Sequence, residues 1–243
     1  MSMLEIRGLA KWFGGLQAVK DLSFQVDDGE IVALIGPNGA GKTTVFALVS
    51  GFLEPDAGEI TFRGRRVRGL KPHALNRLGM ARTFQIMRPF ARLSVVRNVM
   101  IGALGRHPEP RAAETRARAV LEEVGLAAKA AQPAGSLTLA ERKRLELARA
   151  LATEPVLLLL DEVMSGLNDR ETERIVELVR AINARGTAIL LIEHVMRAVM
   201  SLAGRLVVLN YGERIAEGRP DVVARDRRVI EAYLGEDPVA PPA

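Results

Sequence analysis

The chain has 243 residues, 48% of them hydrophobic, a formal net charge of +5 and no cysteine. That length and apolar content suffice for one large domain with a buried core. The missing cysteines exclude disulfides, thiolate nucleophiles and Cys-ligated metals, and 3 scattered histidines do not build a zinc site. No apolar run approaches the roughly 18 to 20 residues that cross a bilayer, so the chain is expected not to span one. Its start, Met1 to Ala10, alternates like a strand and lacks the layout of a secretory signal, which implies a cytosolic chain. The densest basic stretch, Arg63, Arg65, Arg66, Arg68, Lys71, His73 and Arg77, contains the single aromatic Phe62. Single-strand binders stack bases on several rings, so a solvated surface is expected here and no nucleic-acid partner.

In chain order, Leu22 to Val26 and Ile31 to Ile35 are β-type runs flanking the turn signal Asp27-Asp28-Gly29-Glu30, and the second enters a glycine-rich loop. A helix is predicted from Lys42, then an alternating segment over Glu59 to Arg63, while Arg82 to Met100 mixes apolar and basic residues around Pro89 without a clean period. Ala113, Ala117, Val120, Leu121 and Val124 recur at helical spacing, as do Leu145, Ala148 and Leu151. Val156 to Leu160 then reads as a buried strand, Ile175, Leu178, Val179 and Ile182 as one helical face, and Ala188 to Ile192 as another strand. A hairpin is predicted over Leu206 to Ala216, turning at Tyr211-Gly212, and the tail Pro238 to Ala243 is too short and proline-rich to fold alone. Strands alternating with helices predict an α/β core with parallel strands, interrupted by a helical insertion from roughly Ile86 to Glu154.

Gly36-Pro37-Asn38-Gly39-Ala40-Gly41-Lys42-Thr43 matches the phosphate-loop pattern without a mismatch and lies between a β-run and a helical run. Glycines let backbone N–H groups wrap phosphates, the following helix offers its positive end, Lys42 reaches the β- and γ-phosphates, and Thr43 suits magnesium. Leu157 to Leu160 closes in Asp161-Glu162, carboxylates at a strand's carboxyl end, where ligands bind in open α/β sheets. Asp161 suits the magnesium shell and Glu162 a general base; elsewhere such acidic pairs serve as helix caps. Ala188 to Ile192 repeats the arrangement and ends in Glu193-His194, placing an imidazole for a γ-phosphate oxygen or the base.

The succession of phosphate loop, Gln85, helical insertion, Asp161-Glu162 and His194 resembles the ATP-binding cassette over nearly the whole chain. The resemblance implies a P-loop NTPase fold with a RecA-like core (1–85 and 155–217), an antiparallel β subdomain, an inserted helical subdomain (86–154) and a C-terminal segment (218–243). It implies ATP and Mg2+ as ligands, with phosphate contacts running on to Thr44, Phe13 stacked on adenine with Trp12 as rival, and Gln85 sensing both the cation and the attacking water. Ser165-Gly166-Leu167-Asn168 resembles the loop that communicates across a dimer, with Asn168 where many members carry aspartate.

Leu137-Thr138-Leu139-Ala140-Glu141 aligns with the family signature that caps the γ-phosphate bound by the opposite subunit, but both signature glycines are absent. Thr138 can supply the hydroxyl and Ala140 its N–H, whereas Leu139 adds bulk and Glu141 is expected to bring negative charge near a phosphate. Two expectations stand side by side: pairing with an unlike ATPase subunit that gives unequal sites, or a symmetric homodimer that tolerates the variant.

Ala81-Arg82-Thr83-Phe84-Gln85, Val96-Arg97-Asn98-Val99 and the ending Val229 to Glu236 are similar to LivG-type ATPases of branched-chain amino-acid importers. That implies transmembrane permease subunits, an indirect extracytoplasmic solute-binding protein and a place on the cytoplasmic face of the membrane. Ile86, Met87, Pro89, Phe90 and Leu93 are candidates for a groove receiving a permease helix, or for packing of the insertion. The alternatives are urea or amide uptake, lipopolysaccharide export, whose ATPase has a similar ending, and a soluble cassette acting on nucleic acid. The short separation of Lys42 from Asp161, without sustained heptads, opposes the last.

Overall fold

The computed structural model describes residues 2–84 and 89–234. In chain order these form β1 (Ser2–Phe13), β2 (Leu16–Asp27), β3 (Ile31–Ile35), α1 (Lys42–Val49), β4 (Ala57–Phe62), β5 (Arg65–Arg66), α2 (Pro72–Leu78) and β6 (Met80–Arg82). Three helices follow, α3 (Val95–Ala103), α4 (Pro110–Glu123) and α5 (Leu139–Leu151). Strand and helix then alternate through β7 (Leu157–Asp161), α6 (Asp169–Asn183), β8 (Ala188–Ile192), α7 (Met196–Leu202), β9 (Arg205–Asn210) and β10 (Glu213–Gly218). The short α8 (Pro220–Val223) and α9 (Arg227–Leu234) end the described chain. Among the described residues no helix is long and apolar enough to cross a membrane.

Six strands form one sheet in the order β10-β9-β3-β8-β7-β6. Every pairing from β9 to β6 is parallel; β10 returns antiparallel on β9 through the turn at Tyr211 and Gly212, both at positive φ. The three central strands β3, β8 and β7 are buried throughout, which is why they read as uninterrupted apolar runs. Alternation along them still matters, because it divides the interior in two. Val32, Leu34, Leu157, Leu159 and Leu190 face the core shared with α1 and a four-stranded antiparallel sheet ordered β2-β1-β4-β5. Ala33, Ile35, Leu158, Leu160, Ile189 and Leu191 face the opposite core, made with α3 to α7. The runs on either side of Asp27-Asp28-Gly29-Glu30 thus belong to different sheets.

The described residues of the stretch without a clean period include the end of the edge strand β6, a loop before α3 from residue 89, and α3 itself. Its fully buried amide Asn98 holds the loop by accepting from Phe90 N–H (2.9 Å) and donating to the carbonyls of Phe90 (3.1 Å) and Ser94 (3.0 Å). A polar residue on an apolar stripe is tolerated because its hydrogen bonds are met.

Candidate nucleotide-hydrolysis site

Because β3, β7 and β8 run parallel side by side, the segments after them emerge at one edge of the sheet. The phosphate loop follows β3. A Cβ at Gly36 (φ +148) would stand 2.1 Å from the Leu209 carbonyl oxygen, and one at Gly41 (φ +102) 2.5 Å from that of Ala18, so the loop path admits only glycine at both. Ala40 is buried and closes the loop, its N–H on Pro37 O and its own carbonyl accepting from Gly212 N–H. Asn38 and Gly39 face outward, and Pro37 is buried. Lys42 opens α1 as the sequence predicts; its buried ammonium donates to Gly36 O (2.6 Å) and Pro37 O (2.7 Å), arching over the loop. Thr43 is exposed and Thr44 half-buried. Gly41 gives α1 no side-chain cap and the first turn holds no acid, so its positive end is aimed into the loop uncompensated.

Asp161 ends β7 almost fully buried, its Oδ2 held by Arg82 Nη2 at 2.8 Å and its N–H donating to Thr83 Oγ1 at 3.1 Å. Arg82 also donates to Ser50 Oγ (2.9 Å) and lies between the rings of Phe46, Phe52 and Phe84, each within 5.7 Å of its guanidinium carbon. Glu162 carries φ +50, a left-handed conformation costing a non-glycine residue on the order of 1–3 kcal/mol unless its surroundings impose it. Those surroundings are its N–H on Ile192 O (2.9 Å), its carbonyl taken by Lys143 Nζ (2.6 Å), and its Oε1 at 2.9 Å from His194 Nε2. The His194 side chain remains 44% exposed while that of Glu162 is 14% exposed, so the pair sits at the mouth of the site rather than within the core. Beside it Glu193 is buried, with Oε1 accepting from Met164 N–H at 2.8 Å; burial pushes its pKa up to about 7.

The signature segment lies apart from these strand ends, at the start of α5. Thr138 caps the helix: its Oγ1 accepts from Glu141 N–H (3.4 Å) while Glu141 Oε2 accepts from Thr138 N–H (3.0 Å). Lys129 pairs with Glu141 Oε1 at 2.5 Å and, through that hydrogen bond first, holds its pKa below the usual range. The negative charge expected to face a phosphate is therefore spent locally, on the cap and on Lys129. Leu139 is exposed and Ala140 half-buried. Asn168 likewise caps α6 in a reciprocal pair with Glu171. Phe13 and Trp12 are both exposed at the end of β1, Phe13 beneath the Lys11 ammonium. Gln85, Ile86 and Met87 lie outside the described residues.

The contacts of three residues in this region escape a reading by motif. Arg82 and Thr83 hold Asp161 from the neighbouring strand end, and Lys143 reaches Glu162 from α5. A legible signal existed for Lys143, a cation on the same stripe as Leu147, Ala150 and Leu151. A cleft of about 670 Å³ opens beside Arg82, lined by apolar Phe52, Leu75 and Phe84 and by basic His73, Arg77 and Arg106; Pro89, Phe90 and Leu93 are not among its walls.

A phosphate loop after β3, a central strand of a mostly parallel sheet, with a histidine after adjacent β8 and acids at the end of β7 beyond it, defines a P-loop nucleotide-binding fold. Residues 19–165 match the model of the ABC transporter family, and residues 213–239 that of the branched-chain amino acid ATP-binding cassette transporter family. The chain is 41% identical to the high-affinity branched-chain amino acid transport ATP-binding protein LivG of Salmonella typhimurium, covering 96% of this chain and 98% of that one. It is 39% identical, with the same coverage, to BraF of Pseudomonas aeruginosa, described in the same words. A solved nucleotide-free ATP-binding cassette from an ABC transporter superposes with TM-score 0.90 at 30% identity, over 97% of this chain and all (100%) of that one. The chain belongs to the ABC transporter family, as an ATP-binding and hydrolysing cassette.

Proposed function

We propose that this chain drives an importer of branched-chain or related amino acids, docked to permease subunits on the cytoplasmic face of the membrane, with an extracytoplasmic binding protein delivering the solute. The match of residues 213–239 to the branched-chain transporter model supports the importer over the exporter with a similar ending. For the chemistry, the observation that carries the proposal is the 2.9 Å contact between Glu162 and His194, placed at adjacent strand ends beside the phosphate loop.

In this reading the loop N–H groups and the open end of α1 cradle the phosphates of ATP, and Lys42 exchanges its loop carbonyls for phosphate oxygens. The donors suit magnesium: a threonine hydroxyl at Thr43, one carboxylate at Asp161 and the side chain of Gln85, a hard-oxygen set that leaves room for phosphates and water. Among the described residues no cluster of three or more His, Asp or Glu exists to cage a metal in protein ligands alone. Bound magnesium would neutralise charge on the β- and γ-phosphates. Glu162 takes the proton of the attacking water, and His194 holds its carboxylate in place. Phe13 stacks on the base, with Trp12 as the rival ring.

Thr138 and the Ala140 N–H face the nucleotide of a second ATPase subunit, like or unlike, across the dimer. The cleft beside Arg82 is the candidate seat of a permease segment with both apolar and acidic or polar side chains: Phe52, Leu75, Phe84 and Leu104 line it together with His73, Arg77 and Arg106, and Arg82 joins it to Asp161. The test is leucine uptake into vesicles holding this chain with its permease and binding protein. ATP-dependent uptake is expected, abolished by Glu162→Gln with ATP binding retained. Hydrolysis without leucine uptake overturns the solute; hydrolysis by Glu162→Gln overturns the base.

A further inference from the structure

Lys143 is the one basic side chain of α5, besides the residues facing solvent, that the sequence places on the helix's apolar stripe, and it is only 6% exposed. Its ammonium crosses to the loop after β7, where it donates to the Glu162 carbonyl at 2.6 Å. That carbonyl also accepts from Ser165 N–H at 3.3 Å, so the turn carrying the carboxylate is closed by a cation from another element. The acids acting on Lys143 are Glu193, Glu162 and Asp161, and buried Glu193 itself grips the next part of the same turn through Met164 N–H. A left-handed glutamate persists only where neighbours over-determine it, and here the determining contacts come from β8 on one side and α5 on the other.

We infer that Lys143 is a positioning residue for Glu162, a brace that ties the helix capped by Thr138 to the carboxylate of the same chain. The inference rests on the proposed role of Glu162 as base. Its consequence is a rigid link inside one subunit between the segment facing the other subunit's nucleotide and the base acting on its own. A tilt of α5 when Thr138 and Ala140 meet a phosphate is transmitted to Glu162 without passing through solvent.

The test is steady-state ATP hydrolysis and equilibrium binding of a fluorescent ATP analogue by the full chain and its variants. Lys143→Met is expected to lower kcat on the order of 10²-fold, the scale of a misaimed catalytic group, with analogue affinity and KM unchanged. In the Glu162→Gln background the same substitution is expected to cause no further loss, because groups acting as a unit are non-additive. Should Lys143→Met alone fold poorly, Lys143→Met with Glu193→Gln removes both buried charges together and lacks the brace equally. A full-rate Lys143→Met or full-rate double variant, beside an inactive Glu162→Gln, overturns the brace alone. So does a loss shared equally by affinity and kcat, or one that adds to Glu162→Gln. Full hydrolysis by Glu162→Gln overturns the base and the brace with it.

Discussion

The strand-end cluster and the signature segment each hold a set of polar groups in fixed positions, in opposite ways. Asp161 and Glu193 are buried at the ends of parallel strands, Lys42 is buried at the start of α1, and Glu162 is locked in a left-handed conformation by partners far away in sequence. Thr138 to Glu141 lies nearer the surface and caps itself locally: the reciprocal bonds close over three residues, and Lys129, twelve positions before Glu141, adds the ion pair. Where neighbours impose the geometry, substitutions are felt through the whole site. Where the segment imposes its own, missing signature glycines are absorbed, because Thr138 and Glu141 satisfy the helix end without them.

The contrast is sharpest in the carboxylate. Glu162→Gln is expected to lower kcat about 10²- to 10⁴-fold with ATP affinity retained, measured by coupled ATPase assay and equilibrium binding. Gly36→Ala would drive a Cβ to 2.1 Å from the Leu209 carbonyl, so nucleotide binding should be lost along with roughly 1–3 kcal/mol of stability, read from denaturant melts. A variant that binds ATP normally would remove the loop from the rigid half of the comparison.

Glu193 tests the strand-end cluster through pH. Its folded-state pKa is raised to about 7 by burial, from an ordinary value of 4.5, so the folded protein binds this proton more tightly than the unfolded chain. The contribution is fully present below about 4.5 and is lost as pH rises through about 7, on the order of 3 kcal/mol in all. Glu193→Gln should flatten that decline in melts between pH 5 and 8; parallel slopes for variant and wild type would mean the carboxyl titrates as if exposed. The smallest effect belongs to the self-capped segment. Thr138→Ala should cost about 1 kcal/mol of stability by denaturant melts and leave nucleotide affinity of the isolated chain unchanged. A larger loss would show that the cap is tied into the core after all.

The α/β class, the helix opening at Lys42, the buried strands and the hairpin at Tyr211-Gly212 were all legible in the sequence, because apolar period and turn chemistry are local properties. The phosphate loop, Asp161-Glu162 and His194 were legible for the same reason: each is contiguous, and each sits where a strand ends. Arg82 on Asp161, Lys143 on Glu162 and Lys129 on Glu141 were not, since each joins residues from different elements. The period of a strand says which residues are buried but not which core they enter; the division of β3, β7 and β8 between two cores, and the meeting of their three carboxyl ends, were decided by the parallel register of the folded sheet. Local chemistry writes the motifs, and only packing brings separated charges close enough, in a medium dry enough, for them to act on one another.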